Sequence, residues 1–144
     1  MKILDANVLI AAAASDHAHH AVAAGWLGRA RRENELLAMC PVVALAFLRI
    51  TTHPRIHETP LTAAQALAWL QCLLRSPSVR WMHSADEHLL NLERLLTKPV
   101  VGNLMMDAHL AALALENGAS VVTFDRDFLR FPGLRVELLT QETN

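Results

Sequence analysis

Short apolar runs alternate with longer segments of helical period along this chain. Ile3-Leu4 opens a first strand, and Val8 to Ala14 reads as a short helix. Asp16 is placed to N-cap a helix running to about Arg31. Leu36 to Met39 forms a second strand. Pro41 suits the first turn of a helix reaching about Thr52, which His53-Pro54 stops. Thr62-Ala63-Ala64-Gln65 has the capping-box pattern and opens a helix that ends before Pro77. Val79 to Met82 is a third strand. Ser84-Ala85-Asp86-Glu87 is a second capping-box pattern, starting a helix to about Leu96. Asn103 is placed to cap the next helix, and Gly118 to end it in the left-handed conformation. Val121 to Phe124 and Arg135 to Leu138 complete a set of five strands.

Strands alternating with helices imply right-handed crossovers and a parallel sheet. Ligands in such sheets sit beyond the carboxyl ends of the strands. Asp5 interrupts the apolar run KILDANVLI at the end of the first strand, and Asp125 and Asp127 directly follow the fourth. Residues some 120 positions apart are thereby expected at one edge of one sheet. Asp107 adds a fourth carboxylate. Helical spacing puts residues 104, 107, 108, 111 and 115 on one face, and all but Asp107 are Leu or Ala. Each carboxylate also has a plain structural reading. Asp5 or Asn7 can cap the following helix, Asp107 can favour a helix N-terminus, and Asp125 can cap a short segment from Asp127 to Phe131. Gathered together, however, like charges repel and raise one another's pKa values. Mg²⁺ or Mn²⁺ relieves that repulsion with hard oxygen ligands, and the same cation supports phosphodiester hydrolysis.

Composition narrows the alternatives. The 144 residues suit one domain with one core, taken here as 1–144. The net charge of -1 gives no overall field for nucleic acid, so such binding needs local basic patches. Cys40 and Cys72 lack metal-ligand spacing and read as small core residues in a reducing, cytoplasmic setting. No apolar run is long enough to span a membrane. The cluster Asp16-His17-Ala18-His19-His20 lacks the further ligands a zinc site needs, and His109 reads as a helix-surface or partly buried residue. Trp26, Trp69 and Trp81 are assigned to packing. A receiver domain of the response-regulator type is disfavoured, because the later strands carry no Lys.

Three blocks carry a family resemblance: KILDANVLI, PVVALAFLRITTHP (Pro41 to Pro54) and GNLMMDAHLAALALENGASVVTFDRDF (Gly102 to Phe128). Together they resemble the PIN-domain ribonucleases, most closely the VapC toxins of bacterial toxin-antitoxin pairs. The resemblance implies a three-layer α/β/α sandwich with a mainly parallel sheet of about five strands. It also implies a Mg²⁺- or Mn²⁺-dependent endoribonuclease acting on tRNA or ribosomal RNA. The family's acidic positions fall on Asp5, Asp107 and Asp125, the metal set, with Asp127 as an additional member. Asn7 and Thr123 match the polar residues that support the pocket. One position departs: Ala44 stands where the family usually has a second acidic residue. Ala44 implies a weakened or inactive enzyme, whether the carboxylate was removed by engineering or lost naturally; the alternative is a non-catalytic RNA- or partner-binding PIN domain. A VapB-type antitoxin, an RNA substrate, a homodimer and a higher toxin-antitoxin assembly are the implied partners. The antitoxin groove is expected between the helices around 17–31 and 42–52, and a dimer contact near the 103–118 helix.

Overall fold

The computed structural model describes residues 1–96 and 101–140. The elements run β1 (Lys2–Leu4), α1 (Ala6–Ala13), α2 (His20–Arg32), β2 (Leu37–Met39), α3 (Pro41–Thr51) and α4 (Ala63–Leu74). Then follow β3 (Val79–Trp81), α5 (His88–Leu95), α6 (Leu104–Glu116), β4 (Ser120–Thr123) and β5 (Arg135–Leu138). A 3-10 turn over Arg126–Arg130 joins the last two strands. The sheet is parallel throughout, with strand order β3-β2-β1-β4-β5. β1 is central, pairing Ile3 with Ala38 on one side and with Val121 on the other. Its position explains its composition: Ile3 and Leu4 are fully buried between helices on both faces.

Local signals act as the side chains dictate. Pro41 occupies the start of α3, where its missing N–H has no partner to lose. Thr62 and Gln65 form the reciprocal capping box of α4, with hydrogen bonds of 3.1 and 2.8 Å. Gly118 closes α6 at φ +57°, a conformation that a Cβ disfavours. α1 packs against α2 and α3, and α3 against α4, while α5 and α6 pair with each other. Phe47 of α3 stacks on Trp69 of α4 with ring centroids 5.1 Å apart. Across the sheet, Lys2 pairs with Glu35 and with Glu137 (2.8 Å), and Trp26 Nε1 donates to Glu137 Oε1 at 2.6 Å.

Several local expectations are not met. α2 starts at His20, and Asp16 instead faces the buried His57, 3.7 Å from its Nδ1. Ser84 makes no capping box, because α5 begins only at His88 after a turn. Asn103 precedes α6 without a side-chain cap. Cys40 is buried but Cys72 is exposed, so only one of the two is a core residue. Trp81 is likewise 42% exposed on the edge strand β3. α6 is buried on nearly every side from Leu110 to Ala114, whereas Leu115 is exposed, so the single inward stripe was too narrow a reading.

Candidate active site

Asp5 follows β1 immediately, and its N–H still bonds to the Val122 carbonyl of β4 at 3.0 Å. The strand pairing therefore continues up to the carboxylate and presents it at the carboxyl edge. Its partner is Thr123, the fully buried last residue of β4. The Thr123 hydroxyl donates to Asp5 Oδ2 at 2.7 Å. It accepts from Asn7 Nδ2 at 3.0 Å and from the Asp125 N–H at 2.9 Å. One donor and both lone pairs are thus in use. Asn7 completes the link by accepting the Phe124 N–H on Oδ1 at 3.3 Å. Asp125 Oδ1 accepts the Asp127 N–H at 2.8 Å and caps the 3-10 turn, so its capping reading is also met.

Asp107 lies in the first turn of α6. It shares with Asp5 a small cleft of about 50 Å³, walled by Ala6, Val42, Val43, Ala46, Met106 and Leu110. Burial raises the pKa of Asp5, and the neighbouring Asp125 adds to that. The Thr123 hydrogen bond and the nearby N–H groups of Ala6 and Asn7 oppose the rise, although Asp5 makes no side-chain cap of α1. Asp107 is pushed up to about 6, first by burial and then by the charges of Asp5, Asp125 and Asp127, with Arg130 pulling the other way. All four acidic residues therefore act on one electrostatic field. Among the described residues, no three ligating side chains are already drawn together as a closed metal cage. The donor set is hard carboxylate oxygen, and Mg²⁺ is commonly held by one or two carboxylates while retaining waters. A cleft lined by two carboxylates has the donor chemistry for such an ion.

Ala44 lines a different cavity. It is 6% exposed and lines a separate apolar groove of about 310 Å³ with Leu45, Leu48, Leu67, Leu70, Leu74 and Trp81. Val42, Val43 and Ala46 form the α3 wall of the acidic cleft, so α3 brings no carboxylate to it. This groove opens on the α4 side of α3, whereas α2 and α3 both pack on α1.

Two features lay outside the sequence reading. His88 Nδ1 meets Glu116 Oε1 at 2.8 Å, and His88 Nε2 meets His109 Nδ1 at 2.7 Å, a buried polar chain joining α5 to α6. His19 stacks on Phe124, with centroids 4.6 Å apart and planes inclined by 18°. Neither pair has a sequence spacing that signals contact.

Parallel strands in the order 3-2-1-4-5, with acidic residues beyond their carboxyl edge, define an α/β protein that gathers carboxylates at one end of its sheet. Family comparison agrees. Residues 2–134 match the PIN domain, and the chain belongs to the PIN-domain family. It is 39% identical over 136 residues to ribonuclease VapC37 of Mycobacterium tuberculosis, covering 94% of each chain. Ribonuclease VapC25 of the same species is 35% identical, over 94% of this chain and 96% of the relative. Among solved structures, VapBC2 of Rickettsia felis, bound to a DNA fragment from its promoter, superposes with a TM-score of 0.70 at 18% identity. That match covers 96% of this chain and 98% of the other. Mycobacterium tuberculosis VapC20, a toxin that cleaves the sarcin-ricin loop, gives a TM-score of 0.65 at 20% identity, over 94% and 99%. These two likenesses concern the fold.

Proposed function

We propose that this protein is the toxin of a toxin-antitoxin pair and an endoribonuclease that hydrolyses RNA phosphodiester bonds with Mg²⁺ or Mn²⁺. The observation that carries the reading is the meeting of Asp5 and Asp107 in one cleft, with Asp125 tied to Asp5 through Thr123. The VapC relatives named as ribonucleases support the reaction class. The VapBC structures support an antitoxin partner of the VapB type.

Asp5 and Asp107 would hold the cation, with Asp125 and Asp127 adding negative charge around them. When bound, a divalent cation supplies a Lewis acid that stabilises charge on phosphoryl oxygens and makes water easier to deprotonate. The chain's own contribution is placement. Thr123 and Asn7 lock the Asp5 carboxylate against β4, and Thr123 fixes the backbone that presents Asp125. The raised pKa of Asp107 belongs to the metal-free chain, so a cation held there would displace a proton in mildly acid solution.

A second reading, an RNA- or partner-binding PIN domain with a weakened site, is favoured by one observation: the α3 wall of the cleft is entirely apolar. Cleavage of total cellular RNA with Mg²⁺ separates the two. The chain is compared with Ala44→Glu, with Val43→Glu, and with Asp107→Asn added to each. The enzyme reading predicts that cleavage appears or rises in at least one of the first two and disappears with Asp107→Asn. Folded proteins that never cut would leave the binding reading in its place.

A further inference from the structure

We infer that His19 is a positioning residue for the acidic site, acting through Phe124 on the loop that carries Asp125. Phe124 lies between the two residues that matter most to that loop. Thr123 before it orients Asp5, and Asp125 after it donates its N–H back to Thr123. Any tilt of Phe124 therefore moves both. Its backbone is held on one side by Asn7, which accepts the Phe124 N–H. Its ring is held by the His19 imidazole stacked on it at 4.6 Å.

His19 is itself well anchored. Its N–H donates to His17 Nδ1 at 3.1 Å, and its carbonyl accepts the Ala23 N–H at 3.0 Å within α2. The next residue, His20, bonds through Nδ1 to the Ala11 carbonyl of α1 at 2.9 Å. The start of α2 is thus tied to α1, the helix that Asp5 and Asn7 open. The His19 side chain does not cap α2, and its Nδ1 is buried with no hydrogen-bond partner. The ring has two aromatic neighbours: His17, tilted at 43° with centroids 5.7 Å apart, and Phe124, on which it lies closer and flatter. An imidazole that neither caps a helix nor bonds through that nitrogen, yet lies flat on the residue between Thr123 and Asp125, is a brace for the site.

This inference rests on the metal-site reading above only for its second readout. The first is amide hydrogen exchange in the metal-free protein, followed residue by residue. In His19→Ala, exchange at Phe124 and Asp125 should rise about tenfold, while Ile3 and Ala38 in the sheet stay as in the parent. His19→Phe, which keeps a flat ring, should restore parental exchange. Phe124→Leu removes the stack from the other partner and should reproduce His19→Ala, which keeps the test decisive if His19→Ala folds poorly. The second readout is Mn²⁺ affinity by calorimetry, expected to fall about tenfold in His19→Ala and to recover in His19→Phe, the scale seen when an outer-shell support is lost. Unchanged exchange in both His19→Ala and Phe124→Leu would overturn the brace, as would failure of His19→Phe to restore it. If the parent chain binds no Mn²⁺, the metal-site reading falls, and the exchange data alone decide the role of His19.

Discussion

Replacing Asp107 by Asn should make the metal-free protein more stable at neutral pH and leave it unchanged in acid. Asp107 is raised from the ordinary 3.8 to about 6 by burial and by three neighbouring carboxylates. Between those values the native state binds more protons than the unfolded chain. Stability therefore falls as pH rises from about 4 to about 6, and the full penalty stands above that interval. A rise of this size corresponds to ~3 kcal/mol for a fully buried group. Asp107 is only half-buried and solvent screens it, so ~1–2 kcal/mol is the appropriate magnitude. For a domain of this size that is a shift of roughly 3–6 °C in Tm. The assay is calorimetric unfolding with chelator at pH 4.0 and pH 7.5. Asp107→Asn should match the parent at the lower pH, apart from any pH-independent offset, and exceed it by that amount at the higher. A difference between the proteins that does not change with pH would refute the raised pKa, because neither burial nor the neighbouring carboxylates would then be disfavouring the charge on Asp107.

Other outcomes follow from single contacts. Thr123→Val preserves shape but leaves Asp5, Asn7 and the Asp125 N–H without their shared hydroxyl, and should cost ~2–4 kcal/mol by urea unfolding. Thr62→Ala removes the capping box of α4 and should cost ~1 kcal/mol in the same assay, with no effect on Mn²⁺ affinity. Glu116→Leu strands the His88 Nδ1 and Asn91 donors in a buried setting, and should cost ~3 kcal/mol with accelerated amide exchange across α5.

Much of this architecture was legible because local signals and the global fold agree. The fifth strand falls on Arg135 to Leu138 as its pattern implies, and Pro41, Thr62 and Gly118 mark helix ends by chemistry that needs no tertiary partner. Where local signals failed, the causes differ: Asp16 faces His57 instead of capping a helix, whereas the residues after Ser84 form a turn before α5 begins. The acidic residues were visible through the rule that parallel sheets present ligands at their carboxyl edge. Position alone did not show which α3 residues line which cavity: Val42, Val43 and Ala46 line the cleft, and Ala44 the apolar groove. Contacts such as His19 on Phe124 and His88 with His109 join residues whose separation carries no periodic signal.

The orientation of α3 bears on how Ala44 is understood. A carboxylate introduced at 44 starts in the groove that Leu48, Leu70 and Leu74 also line. One introduced at 43 starts in the cleft. Comparing the two measures whether a further acidic residue is what the site lacks.

The proposed divalent-cation site is the pair Asp5 and Asp107. Its most direct test is calorimetric titration of the metal-free chain with Mn²⁺ at pH 7.5, beside Asp5→Asn and Asp107→Asn, with folding of each checked by circular dichroism. The parent chain should bind saturably, and binding should be lost or weakened at least tenfold in either variant. No binding by the parent, or binding that survives both substitutions, would contradict it.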